Sequence, residues 1–201
     1  MNDDLIERIK ERVKVHLGNN LGVENKQSVA HRWEHILRVE RNALQIASNY
    51  EGVNLEALQI ASILHDVDQP YDKKKEHARA SAILARKFLS EEGAKEELTE
   101  LVSKIIEEHS SEDLDLGGPK IIESKILFDA DKLDGLGAVG IARAFAYKGQ
   151  CGVTPEDAIS WYEKKIEIAE NNLQTEEGKR RAKELIKYTR EFISRFVSEN
   201  K

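Results

Sequence analysis

Apolar residues recur along most of the chain at spacings of three and four positions, which is the period of an amphipathic helix. Residues 31–50 are an example, because Ile36, Val39, Ala43 and Ile46 would lie on one side of a helix. No window alternates apolar and polar residues with a period of two, so the pattern predicts no strands. We therefore predict an all-α chain of about eight or nine helices.

Residues that cap or interrupt helices place the predicted ends. Thr154-Pro155-Glu156-Asp157 is a helix start, with Thr as the cap and Pro at the first helical position. Asn54 is a second candidate N-cap, and the Ser, Asp and Gly residues of 110–119 predict a loop. The predicted helices span about 3–17, 31–50, 54–67, 75–92, 95–109, 120–133, 135–147, 155–173 and 176–198.

The charge and composition exclude some classes of protein. The net charge is −6, which disfavours a nucleic-acid partner and a helix-turn-helix regulator. The single cysteine, Cys151, excludes an internal disulfide and favours a reducing compartment. No run approaches the ~20 apolar residues of a membrane span, and residues 1–10 lack the apolar core of a signal peptide. We expect a cytoplasmic protein without a membrane partner.

Two segments carry histidines toward the predicted core. His35 extends the buried stripe of its helix by one turn. The segment ASILHDVDQP at 61–70 ends an apolar helix in His65 and Asp66, just before Pro70. Adjacent residues of a helix lie ~100° apart, so two neighbours reach one ion only at a helix edge or end. A divalent metal would explain the polar groups in an otherwise apolar bundle.

A third segment, FDADKLD at 128–134, supplies further carboxylates between apolar neighbours. Asp131 and Asp134 share one helical face, and Asp129 lies on another. The periodicity does not choose between these faces. Asp129 and Asp134 have capping or supporting roles as alternatives to ligation, and Asp134 is a candidate cap for the next helix.

The three segments together resemble the HD-domain superfamily of metal-dependent phosphohydrolases, and within it a branch of small stand-alone proteins. The motifs that carry the resemblance are HRWEHILRV at 31–39, His65-Asp66, FDADKLDGLGA at 128–138 and TEEG at 175–178. The resemblance implies a single phosphodiesterase-like helical HD domain over 1–201. Its core would span about 28–150, and a C-terminal helical pair at about 154–199 would pack on it.

The resemblance also implies the roles of individual residues. It makes His35, His65, Asp66 and Asp131 the metal ligands. His77 and His109 match histidines that line the site, and such histidines hold a second ion in two-metal relatives. Those relatives have an acidic residue one turn before the first ligand, where this chain has His31. We therefore expect one ion rather than two.

Two imidazoles and two carboxylates suit Mn²⁺, Mg²⁺, Fe²⁺, Co²⁺ or Ni²⁺, and the imidazoles disfavour a pure Mg²⁺ preference. We expect Asp66 and the ion to activate water, with Asp68, His77 or His109 as the unranked acid or base. Positive groups must balance the charge of a bound phosphate. The candidates for substrate binding are Lys132, Arg143, Arg79 and His31.

The predicted activity is hydrolysis of a phosphoester or phosphoanhydride bond in a nucleotide or another small phosphorylated metabolite. Relatives in this branch include nucleoside-triphosphate pyrophosphohydrolases, and a deoxynucleotide monophosphatase or cyclic-nucleotide phosphodiesterase are further options. The alternative is a non-catalytic nucleotide sensor or scaffold that keeps the HD fold. A carboxylate-bridged di-iron bundle is set aside, because no histidine has Glu three residues before it. Four aromatic residues on the last two predicted helices could pack in the core or at the interface of a homodimer: Trp161, Tyr162, Phe192 and Phe196.

Overall fold

The computed structural model describes residues 2–19, 33–68, 77–110, 114 and 117–200. Within these ranges the chain forms nine α-helices and no strands, which confirms the predicted fold class. The helices are α1 (Asp3–Asn19), α2 (Trp33–Ala47), α3 (Leu55–Leu64), α4 (His77–Glu91), α5 (Glu96–Glu107), α6 (Ile122–Asp134), α7 (Gly137–Gln150), α8 (Pro155–Asn172) and α9 (Glu176–Glu199). Among the described helices, none combines the length and apolar character needed to cross a membrane.

Helix α3 lies at the centre of the molecule, because it contacts α1, α2, α4, α5 and α6. All of its residues from Ile60 to Leu64 are buried, as are the His65, Asp66 and Val67 that follow it. Helix α2 packs between α3 and α6, and α4 packs on α5. The His65-Asp66 pair therefore follows directly on the most buried part of the central helix.

The predicted N-caps are confirmed where side chains bond the first turn. The side-chain oxygens of Asn54 and Thr154 accept from the backbone N–H groups of Ala57 and Asp157, at 3.0 and 3.2 Å. The prediction that Asp134 caps the next helix is wrong, because the N-cap of α7 is Leu136 and the Asp134 side chain is buried among other partners. Helix α3 also ends at Leu64, three residues before the predicted end, and 65–68 form a turn.

The last three helices pack on one another, and α8 and α9 both contact α6. Asp129, fully buried on α6, holds the start of α9. Its carboxylate accepts from the backbone N–H groups of Gln174 and Thr175, at 2.8 and 2.7 Å, and from the Thr175 hydroxyl at 2.6 Å. Thr175 in turn caps α9 through the N–H of Gly178, at 3.0 Å. The TEEG segment is therefore a structural junction with α6.

The C-terminal aromatic residues take part in packing within the chain. Tyr162 is buried, and its hydroxyl donates to the backbone carbonyl of Gly135 at 2.8 Å. The rings of Phe192 and Phe196 both lie 5.9 Å from the ring of Phe145 on α7. Phe192 and Phe196 stay partly exposed, and the homodimer stays a prediction.

Candidate metal centre

Four predicted ligands come together at one place between α2, α3 and α6. His35 lies on α2, His65 and Asp66 follow the last residue of α3, and Asp131 lies on α6. One ligand atom from each residue lies within 4.8 Å of the others. The first three residues are buried and Asp131 is partly exposed, so the group opens to solvent on the α6 side.

The distances between the ligand atoms suit a shared cation. The Nε2 atoms of His35 and His65 lie 3.2 Å apart. Asp66 Oδ2 lies 3.4 Å from the first of these nitrogens and 3.5 Å from the second, and Asp131 Oδ1 lies 3.6 Å from His35 Nε2. Two ligand atoms at ~2.1 Å from one ion and at right angles are separated by about 3 Å. The group therefore has the spacing of adjacent positions around one ion.

The ring protonation also fits a metal. His65 Nδ1 lies 2.8 Å from the carbonyl oxygen of Ser62, and His35 Nδ1 lies 2.7 Å from Asp134 Oδ2. Both partners accept, so each Nδ1 donates a proton and each Nε2 is the nitrogen that faces the ligand group. A cation between the two Nε2 atoms would be coordinated by both rings.

Burial and charge keep these groups in the forms that bind metals. Burial lowers the pKa of His65 to about 4, against the opposing effect of Asp66. The imidazole is therefore neutral at pH 7. Burial alone would raise the pKa of Asp131, but Lys132 and His35 hold that pKa well below its ordinary value. The Lys132 ammonium lies 2.6 Å from Asp131 Oδ2.

Asp66 faces a second group of histidines with its other oxygen. Oδ1 lies 3.8 Å from Nε2 of His77 and 3.7 Å from Nε2 of His109. These three residues also form a group whose ligand atoms lie within 4.8 Å of one another. His109 follows the end of α5, and its Nδ1 lies 2.5 Å from the carbonyl oxygen of Ile106. The histidines predicted to line the site thus lie beside it, and their roles stay predictions.

The predicted base Asp68 lies in the turn after Asp66. Its backbone N–H donates to the Ser81 hydroxyl of α4 at 3.2 Å, which holds the turn against that helix. Burial lowers the pKa of His16 on α1, and the nearby Asp68 carboxylate opposes this effect. The role of Asp68 as a base stays a prediction.

The predicted substrate-binding residues differ in their distance from the ligand group. Lys132 lies at its open side, whereas Arg143 contacts the backbone and side chain of Asp134. Arg79 is exposed on α4, two positions after His77, and so projects from roughly the opposite face of that helix. His31 lies outside the described residues. Substrate binding by these four residues stays a prediction.

Arg38 makes contacts at the site that were not predicted from the sequence. Arg38 lies one turn after His35 on α2 and bonds Asp134 rather than a ligand. Burial would raise the pKa of Asp134, but the bonds from His35 and Arg38 lower it below its ordinary value. Two features of the sequence point to Arg38, its spacing three positions after His35 and its place in the motif HRWEHILRV at 31–39.

The described residues thus define an all-helical protein with a buried group of two histidines and two aspartates that suits a divalent metal. The sequence of residues 32–136, just over half of the chain, matches the family described as HD domain. The chain belongs to this HD domain family.

Three comparisons show how similar individual proteins are. The Bacillus subtilis protein YpgQ is 34% identical over 128 residues, which cover 63% of this chain and 61%, less than two thirds, of YpgQ. The structure of Bacillus subtilis YpgQ in complex with ADP is 25% identical with a TM-score of 0.72, and covers 96% of this chain and 97% of that one. An HD-superfamily hydrolase from Bacillus thuringiensis is 29% identical with a TM-score of 0.71, and covers 99% and 98%.

Proposed function

We propose that this protein is a metal-dependent phosphohydrolase that cleaves a phosphoester or phosphoanhydride bond of a nucleotide or small phosphorylated metabolite. The observation that carries the proposal is the group of His35, His65, Asp66 and Asp131. It brings two imidazole Nε2 atoms and two carboxylates to one point. Membership of the HD domain family and similarity to an HD-superfamily hydrolase support the same reaction class.

These four residues would hold one divalent ion, with Mn²⁺ as the first candidate. When bound, the ion supplies an acidic water and polarises a phosphoryl oxygen. Asp131 and Lys132 lie at the open side of the group, where the lysine's positive charge balances an incoming phosphate. We assign the holding or transfer of a proton to His77 or His109, which lie beside Asp66.

A nucleotide is the favoured substrate class. The support is the YpgQ structure, which contains ADP and aligns with nearly all of this chain. A nucleoside triphosphate is the first substrate to test, with release of pyrophosphate as the expected reaction. We further infer a cytoplasmic location, since a chain with a single cysteine cannot form an internal disulfide and so does not need an oxidising compartment.

The test is turnover of a nucleotide panel by protein loaded with Mn²⁺. The panel contains nucleoside tri- and diphosphates, deoxynucleoside monophosphates and cyclic nucleotides. Release of phosphate and pyrophosphate is measured, and the nucleotide products are separated by chromatography so that ring opening of a cyclic nucleotide is also detected. We expect Asp66→Ala to lower kcat/KM by more than about 100-fold, because it removes a carboxylate at the centre of the site. Glu34→Ala, an exposed neighbour of His35 on α2, is the matched control and should retain wild-type activity.

Two results would contradict the proposal. Equal residual rates for the wild type and Asp66→Ala on every substrate would exclude hydrolysis at this site. Saturable nucleotide binding with metal present but without turnover would instead identify a sensor or scaffold. Metal analysis of the same samples counts the ions, and two per chain would assign a second one to Asp66, His77 and His109.

A further inference from the structure

The side of His35 that faces away from the ligand group contacts Asp134. This aspartate lies at the end of α6 and is 5% exposed. Its Oδ2 lies 2.7 Å from His35 Nδ1. A carboxylate at this position accepts the Nδ1 proton, so Nε2 is left free to bind a metal.

Two arginines hold the Asp134 carboxylate from two further helices. Arg38 of α2 donates from Nε to Oδ1 at 2.5 Å and from Nη2 to Oδ2 at 3.1 Å. Arg143 of α7 donates from Nη1 to Oδ2 at 2.7 Å and to the Asp134 carbonyl oxygen at 3.0 Å. A guanidinium only donates, so both oxygens of Asp134 are committed as acceptors. A rotation of the Asp134 carboxylate out of this position would break bonds to His35, Arg38 and Arg143.

Three histidines of the site, His35, His65 and His109, differ in what holds their Nδ1 atoms. His65 and His109 each face a backbone carbonyl three residues earlier in the chain. His35 faces a side chain from another helix. Its proton position therefore depends on a residue 99 positions away and can be changed by one substitution.

We propose that Asp134 is a positioning residue, which Arg38 and Arg143 hold in place so that it fixes His35 as the Nδ1–H tautomer for metal binding. The inference rests on the metal centre proposed above. It also gives Arg143 a use different from the predicted binding of substrate phosphate. In Asp134→Asn the amide N–H₂ would face Arg38 Nε at the Oδ1 position, or His35 and both arginines at the Oδ2 position. In either orientation the negative charge that favours the Nδ1–H tautomer of His35 is lost, so the amide holds the Nδ1 proton less firmly and metal binding weakens.

The first experiment is Mn²⁺ titration of metal-free Asp134→Asn, by calorimetry and by the electron paramagnetic resonance of free Mn²⁺. We expect a dissociation constant about 10- to 100-fold higher than that of the wild type. The matched control is Asp129→Asn, since Asp129 is a buried aspartate of the same helix. Its carboxylate accepts three bonds, from the N-cap of α9 (Thr175) and the residue before it (Gln174). Asp129→Asn should lose stability and keep the wild-type Mn²⁺ affinity.

The second experiment reads the tautomer in the metal-free wild type by long-range ¹H–¹⁵N correlation, with the His35 signals identified by their loss in His35→Gln. We expect the proton on Nδ1. A proton on Nε2 in the wild type would overturn the proposal, and this holds even where Asp134→Asn does not fold. Wild-type Mn²⁺ affinity in a folded Asp134→Asn would overturn it as well. Neither readout involves hydrolysis, so a failure of the proposed phosphohydrolase activity is detected separately.

Discussion

Two carboxylates of α6 lie on opposite sides of the His35 ring. Asp131 and Asp134 are one helical turn apart, and they approach Nε2 at 3.6 Å and Nδ1 at 2.7 Å. Asp134 orients the ring by accepting the Nδ1 proton. Asp131 lies on the Nε2 side, where the ion would bind. A single helix thus supplies both a ligand and the partner of another ligand, which couples the geometry of α2 to that of α6.

The protonation of His65 makes stability depend on pH. Its pKa in the folded chain is about 4 because of burial, whereas an unfolded histidine titrates near 6.5. Between these values the unfolded chain binds a proton that the folded chain does not. The free energy of unfolding of metal-free protein should therefore fall as the pH drops from about 6.5 to about 4, by on the order of 3 kcal/mol from this residue.

Chemical denaturation across this pH window measures the effect, with His65→Gln as the comparison. The variant lacks the titrating group, so its stability should depend on pH with a slope lower by about one proton. Identical slopes for the two proteins would show that His65 does not titrate as its burial predicts.

At the scale of helices, two histidines of the site bond backbone carbonyls at the ends of helices. His65 and His109 follow the last residues of α3 and α5, where backbone carbonyls lack the partners of a continuing helix. Each ring N–H takes one of these carbonyls. At each helix end the chain turns, and a backbone carbonyl fixes the proton of the histidine ring on Nδ1.

The junction between α6 and α9 predicts a strict requirement for glycine at position 178. A Cβ atom there would lie 2.2 Å from Asp129 Oδ2, and that carboxylate is held by three hydrogen bonds. Gly178→Ala must displace Asp129, so we expect a loss of roughly 1–3 kcal/mol in the free energy of unfolding. Urea denaturation measures this loss.

Gly149→Ala is the control for that substitution. Gly149 lies in α7, and a Cβ there meets nothing within 4 Å. Alanine should leave stability unchanged or raise it by up to about 1 kcal/mol. Equal effects of the two substitutions would mean that the close approach of Asp129 does not constrain the start of α9.

The helices themselves could be predicted well from the sequence, because periodicity and caps are local. Thr154 and Pro155 begin α8 as expected. The end of α3 could not be placed as well, since the apolar pattern continues through Val67 while the chain turns at His65. That turn depends on contacts with α4 and on the His65 side chain, which are tertiary interactions.

At the scale of the whole molecule, the fold brings distant segments of the HD domain to one buried point. The ligand set followed from the three segments and their resemblance to a family, and the structure groups the same four residues. The separate structural roles of Asp129 and Asp134 on α6 could not be predicted from the sequence. Asp129 faces α9 and Asp134 faces His35, and only the packing of α2, α7 and α9 around α6 separates these roles.

The central claim is that His35, His65, Asp66 and Asp131 bind one divalent cation. The most direct measurement is the anomalous difference density of crystals grown with Mn²⁺. We predict a peak about 2.0–2.3 Å from His35 Nε2, His65 Nε2 and a carboxylate oxygen of each aspartate. Absence of a peak at this point at saturating Mn²⁺, or a peak bound only by residues outside this group, would contradict the account.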